Sequence, residues 1–148
     1  MRELFQTDES WTCLVLRVAL GVVMFPHGAQ KLLGWFAGPG FSQTMDSFTV
    51  HMHIPAVFAF LVICAESFGA VGLVLGLFTR LAAFGLMCDM LGAIALVHWK
   101  NGFFMNWTGK QAGEGFEYHL LAVAISLAVM MKGAGRWSVD RALAKRLV

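Results

Sequence analysis

Four stretches of the chain are apolar over about the 20 residues that an α-helix needs to cross a hydrocarbon layer: roughly 12–33, 55–78, 80–99 and 115–132. The second is the cleanest, with no charge from Ser47 to Ala65. The third follows it after only Phe78-Thr79-Arg80, so those two are expected to form an antiparallel hairpin. The fourth is uncharged only from Tyr118 to Met131, with Lys132 and Trp137 placed to anchor its end. Between the first two, a Gly38-Pro39-Gly40 turn and Ser42 as an N-cap precede Phe41, Met45, Phe48 and Met52 at helical spacing. That pattern predicts a short amphipathic helix over about 42–53, lying at the membrane surface.

Composition supports this reading. The 148 residues are 58% hydrophobic and 14% charged, with a mean hydropathy of +0.69. A soluble domain of this size has too little interior to hide so much apolar surface, and a disordered chain would be far more polar. The expected architecture is an all-α membrane protein: one domain over residues 1–148, a four-transmembrane-helix antiparallel bundle with an interfacial helix in its first outer loop. A net charge of +2 gives no reason to expect nucleic acid. Cys13, Cys64 and Cys88 make no CxxC pair and read as small apolar residues. The first apolar segment lacks a small-residue cleavage site and reads as an uncleaved membrane helix rather than a removable signal.

Charge sets an orientation. Arg2, Arg80, Lys132, Arg136, Arg141, Lys145 and Arg146 lie at the termini and the 2–3 turn, against Lys31, Lys100 and Lys110 on the opposite loops. The positive-inside rule then places both termini of this multi-pass protein in the cytoplasm. The outer loops carry Trp35, Phe36, Phe103, Phe104 and Trp107, which read either as a lid over the bundle or as an ordinary aromatic belt. Asn106-Trp107-Thr108 also fits a glycosylation sequon, a pattern short enough to arise by chance.

Each span holds one ionisable residue within or at the edge of its apolar run: Arg17, Glu66, Asp89 and Glu117. Such a group costs about 2.5–3.5 kcal/mol at the bilayer centre, so these four are expected to face inward and find partners. Arg17, Gly21, Met24, Gly28 and Lys31 share one stripe of the first helix. Glu66 shares a side with Gly69, Gly72 and Gly76, Asp89 with Gly85, Gly92 and Ala93, and Glu117 with Leu121, Ala124 and Ala128. Arg17 and Asp89 form the expected structural charge network. Two mid-membrane carboxylates beside one arginine cannot all stay charged without cost, which suits a proton-handling site as well as a fixed helix register.

A second constellation falls at the outer helix ends. Pro26 is expected to kink the first helix just before His27, Gln30 and Lys31. His98 and Trp99 end the third helix, and Glu117, Tyr118 and His119 begin the fourth. Three readings stand. One is a pocket for an amphipathic molecule such as a quinone, held by imidazole, amide and ammonium groups. Another is a metal or haem site on His27, His98 and His119, joined by His51 and His53. It is weakened by the lack of a ligand motif and by Asp89 and His98 pointing to opposite sides of their helix. The third is plain interfacial decoration.

In order along the chain come Arg17 with Leu20-Gly21, His27-Gly28-x-Gln30-Lys31, Gly34-Trp35-Phe36 and Gly38-Pro39-Gly40. Then follow Glu66-x-x-Gly69-x-x-Gly72, Gly76-Leu77-x-Thr79-Arg80, Ala93 with His98, Gly115-x-Glu117-Tyr118, and Gly133-x-Gly135-x-x-Ser138-x-Asp140. This ordered set resembles the DoxX family of small bacterial membrane proteins. The resemblance implies a four-helix membrane bundle and carries over His27, Gln30, Lys31, Glu66, His98 and Glu117 as site positions; Asp89 rests on the charge argument alone. It also implies subunits of thiosulfate:quinone-type oxidoreductases, components of a membrane oxidoreductase complex, or more distantly cargo receptors and assembly chaperones, so fold does not settle activity.

The leading expectation is a quinone- or quinol-binding subunit of a membrane redox system. His27, Gln30, Lys31 and Trp35 would hold the head group, while Glu66, His98 and Glu117 exchange protons. Quinone is the expected cofactor, and haem or metal is the weaker alternative. The sequence has no flavin, dinucleotide or iron–sulfur motif, so a partner protein would supply electrons. The competing expectation is a non-enzymatic scaffold or assembly factor, and a homo-oligomer fits either. A proton-coupled transporter fits less well, because four helices show no internal repeat.

Overall fold

The computed structural model describes Phe5 and residues 7–146, and the described residues are helical with no strand. Helix α1 spans Trp11–Leu33. Ser10 caps it through its side-chain oxygen, which accepts from the Cys13 amide, and Gly34 ends it in the left-handed conformation (φ 72°). The helix runs through Pro26 without a break. A short helix α2, Gly40–Asp46, continues into a π-helical turn, Ser47–His51. A short helical segment thus stands where one is expected over 42–53, starting and ending two residues earlier.

Helix α3 spans Ala56–Leu75 and α4 spans Thr79–Asn101. Each is interrupted by a π-helical turn, Ala65–Gly69 in α3 and Ile94–His98 in α4. The hairpin between them turns through Gly76 (φ 69°) and Phe78 (φ 47°), the latter strained for a residue with a Cβ. Helix α5 spans Glu117–Lys132, and a terminal helix α6 spans Val139–Arg146. Helices α1, α3 and α4 are long and apolar enough to cross a membrane. At 16 residues, α5 is shorter.

Helix α1 packs on α3 and α5, and α4 packs on α5 and α3. Leu20, Met24, Ala70, Leu73, Ala83, Leu86, Ala122 and Val129 fill the shared core. The α1 stripe is buried as expected at Arg17, Gly21, Met24 and Gly28. Two of its glycines are required by packing. A Cβ on Gly21 would stand 2.7 Å from the Ala70 carbonyl oxygen, and one on Gly28 would collide with the backbone of Glu66. The expected stripe on α5 does not face inward. Leu121 and Ala124 are exposed, and the buried face is His119, Ala122, Ser126 and Val129. Small residues had marked a packing side, but inward His119 and Ser126 rotate the helix and leave Glu117 directed at the loops.

Candidate functional site

A cavity of about 1620 Å³ runs between α3 and α4 and reaches α1 and α5 at one end. Its walls are apolar, and its polar groups are few: His27 and Lys31 from α1, Glu66 from α3, Asp89 and His98 from α4, Tyr118 and His119 from α5, and Glu114 from the preceding loop. The two π-turns help to bring these together. Asp89 and His98 are nine residues apart, which at 100° per residue of regular α-helix puts them on opposite sides. The π-turn at Ile94–His98 delays the helical phase, and both residues line the same cavity. This reverses the expectation that they point apart.

At the heart of the site Lys31 Nζ donates to Glu66 Oε2 at 2.5 Å. The Glu66 side chain is 6% exposed and that of Lys31 23%. Gly28, one turn before Lys31, lets α1 approach the Glu66 backbone closely, and Ser67 Oγ donates to the Gly28 carbonyl at 3.1 Å. Asp89 interacts with both Glu66 and Lys31, and the Tyr118 phenol lies in the field of both carboxyls. One oxygen of Asp89 is buried with no hydrogen-bond partner.

Histidines line the next layer. His98 and His119 face each other with ring centroids 4.0 Å apart, and the charge of His27 also reaches His119. His98 Nδ1 bonds the Glu114 carbonyl at 2.8 Å. A carbonyl only accepts, so Nδ1 carries the hydrogen and Nε2 is left as an acceptor. His119 is 7% exposed, and its Nδ1 has no partner. Among the described residues no group of three His, Cys, Asp or Glu is disposed to hold a metal ion. His51 and His53 are exposed and lie outside the cavity lining.

Three of the expected residues are engaged elsewhere. The Gln30 amide donates to the Phe36 carbonyl at 3.3 Å, and Gly38 packs on its Cα. Trp35 is 54% exposed and sits edge-on to Phe36. Both shape the first loop rather than line the cavity. Glu117 Oε1 accepts from the Met105 amide at 2.9 Å and from Trp107 Nε1 at 3.1 Å, which fixes the aromatic loop after α4. That loop stacks Trp99 on Phe116 and sets Phe103 edge-on to both Phe104 and Phe116.

Arg17 makes no pair with Asp89. Its buried guanidinium donates to five backbone carbonyls: Leu73 and Val74 at the end of α3, and Ala134, Arg136 and Trp137 after α5. The negative charge of Asp140 acts favourably on it. The carboxylate of Asp140 in turn accepts from the Phe78 and Thr79 amides at 2.7 and 2.8 Å, capping α4. The planar fork suits several carbonyls at once, and the carbonyls that end α3 sit at the negative end of its dipole. The sequence marks His119 only as a member of the outer cluster and a weaker metal or haem ligand, and nothing local marks Glu114, which also lines the cavity.

The family profile described as DoxX matches residues 12–99. A Mycobacterium tuberculosis protein, "Uncharacterized membrane protein Rv3486", is 32% identical over 147 residues, covering 90% of this chain and 82% of its own. A Bacillus subtilis protein named "Putative oxidoreductase CatD" is 31% identical over 116 residues, covering 78% of this chain and 76% of its own. No solved structure is a significant match. With helices of spanning length, an apolar exterior, and a profile match that covers more than half its length, the chain belongs to the DoxX family of membrane proteins.

Proposed function

We propose that this protein is a quinone- or quinol-binding subunit of a membrane redox system. In this reading it is a four-span antiparallel bundle in a bacterial plasma membrane, with α5 as the short fourth span and both termini cytoplasmic. One observation carries the proposal: two residues with a buried polar atom that lacks a partner, His119 (Nδ1) and Asp89 (one oxygen), line the same large apolar cavity as the Lys31–Glu66 pair. Orphaned buried polar groups are costly, and a ligand with oxygens at opposite ends of a flat ring would satisfy them.

The residues divide the work. Lys31 and His119 hold ring oxygens, and His27 adds a polar neighbour. Glu66 and Asp89 hold protons; a contact between two carboxyl groups is a hydrogen bond only while one of them carries a proton. His98, with its ring centroid 4.0 Å from that of His119, extends the line of imidazoles toward the loop that carries Glu114. A quinol bound here releases two protons along these groups and two electrons to a redox partner protein. The name of the B. subtilis relative agrees with this class of chemistry.

A scaffold or assembly factor is the second reading. It is favoured by the structural engagement of Gln30, Trp35, Glu117 and Arg17. The two separate on protein purified from native membranes and extracted for mass spectrometry. Stoichiometric quinone, lost in His119→Phe and in Glu66→Gln without loss of assembly, supports the redox subunit. Protein free of quinone, whose partner complex still forms in the Glu66→Gln variant and fails on loop changes, supports the scaffold.

A further inference from the structure

The cavity is asymmetric in a way the head-group reading does not use. All of its polar lining lies at or above the level of Glu66 and Asp89, toward the loop that carries Glu114. Below those carboxyls it continues between Phe68, Val71 and Leu75 of α3 and Leu81 and Phe84 of α4. From Glu66 to Leu75, and from Asp89 to Leu81, this is an unbroken apolar run of about 12 Å at 1.5 Å per residue. The run is also open sideways, since Phe68, Leu75 and Leu81 are each more than half exposed although they line it. Glycine and alanine line it where α3 and α4 approach each other. A Cβ on Gly69 would meet only Ala82, at 3.8 Å, and one on Gly85 only Ala65, at 3.3 Å.

We infer that this lower run is a tail slot: the occupant is a polyisoprenyl quinone that enters from the bilayer between α3 and α4 and leaves its chain lying there. The inference rests on the head-group reading above. It adds that the ligand must carry a long apolar chain and that its route in is lateral rather than through the outer loops. The match is one of polarity along a single molecule: hydrogen-bonding groups cluster at one end of the cavity, and a dry, side-open channel leads away from them. Met105 and Glu114 of the loop after α4 line the polar end, whereas the half-exposed Phe68, Leu75 and Leu81 leave the lower run open at its side.

The test compares 1,4-naphthoquinones with and without a polyisoprenyl side chain, bound to the full-length protein in lipid nanodiscs and counted by extraction after gel filtration. Wild type is expected to bind the tailed form about tenfold tighter or more, from the added apolar contact. Two variants plug the slot away from the polar groups: Val71→Trp and Leu75→Trp, both at partly exposed lining positions toward the far end of α3. Each should reduce affinity for the tailed quinone to that of the tail-less one and leave the latter unchanged. Equal binding of both forms by wild type, or plugs without effect, overturns the slot and leaves the head-group site standing. Failure of wild type to bind either form overturns both. A phospholipid recovered in place of quinone from native preparations, and displaced by the plugs, overturns the assignment of the occupant.

Discussion

Lys31 of α1 and Glu66 of α3 meet at 2.5 Å inside the protein, one turn beyond the point where Gly28 brings the two helix backbones together. The close approach and the ion pair depend on each other. The pair lies in the apolar cavity and so is not a surface salt bridge of negligible worth. Breaking a fully buried pair costs ~3–5 kcal/mol because one charge is left alone. Lys31 keeps 23% of its side chain exposed, which lowers the expectation. Lys31→Met should therefore destabilise by about 2 kcal/mol, and Lys31→Met with Glu66→Gln should recover most of that loss. Thermal unfolding in detergent, run as a double-mutant cycle, checks this; additive losses would mean the pair carries no coupling.

Gly28 and Gly92 should respond to alanine in opposite directions. At Gly28 the new methyl collides with the Glu66 backbone and pushes α1 off α3, an overpacking loss of about 1–3 kcal/mol. At Gly92 nothing stands within 4 Å of the added carbon, and the helix gains about 1 kcal/mol from the better propensity of alanine. Melting temperatures of the two single variants decide it. If the proposed quinone site is correct, the Gly28→Ala protein should also lose quinone binding, since Lys31 no longer meets Glu66, while Gly92→Ala keeps it.

Arg17 should not tolerate lysine. Five carbonyls from two separate segments converge on its planar fork, and an ammonium group has three donors in a different geometry. Arg17→Lys is expected to lose about 3 kcal/mol, two or more charge-assisted bonds. The loss should appear first as faster amide exchange over residues 133–140 and at the α3–α4 turn, where Asp140 caps Thr79. Uniform protection in the variant would show that the C-terminal segment is held by other contacts.

How far the sequence anticipates this structure depends on which rule each residue obeys. Helix existence follows from apolar runs and end signals, so α1 and the α3–α4 hairpin fall within a few residues of expectation. The glycine stripe of α1 is equally visible, because only glycine fits where two backbones touch. Pairings across helices are another matter. Lys31 finds Glu66 and Arg17 finds carbonyls because π-turns and a returning C-terminal segment change which faces meet, and neither leaves a local signature. A helical wheel drawn at a constant 100° per residue separates His98 from Asp89, and one inserted residue in the turn Ile94–His98 undoes that separation. Glu117 and Gln30 were read by residue type as chemistry, whereas their hydrogen bonds hold loops.

Orientation remains readable by experiment because the loops and termini differ so strongly in charge. Arg136, Arg141, Lys145 and Arg146 follow α5, at the same end of the molecule as the α3–α4 turn, to which Arg17 and Asp140 tie the chain. Translocating this basic segment would oppose the positive-inside bias, so it is expected to stay in the cytoplasm. In a background with the three native cysteines replaced by serine or alanine, Trp107→Cys should react with an impermeant maleimide on intact cells, since Trp107 is 84% exposed on the opposite loop. Lys145→Cys should react only after permeabilisation. Labelling with the reverse pattern would invert the bundle and place the polar end of the cavity, with Lys31, His98 and His119, on the cytoplasmic side.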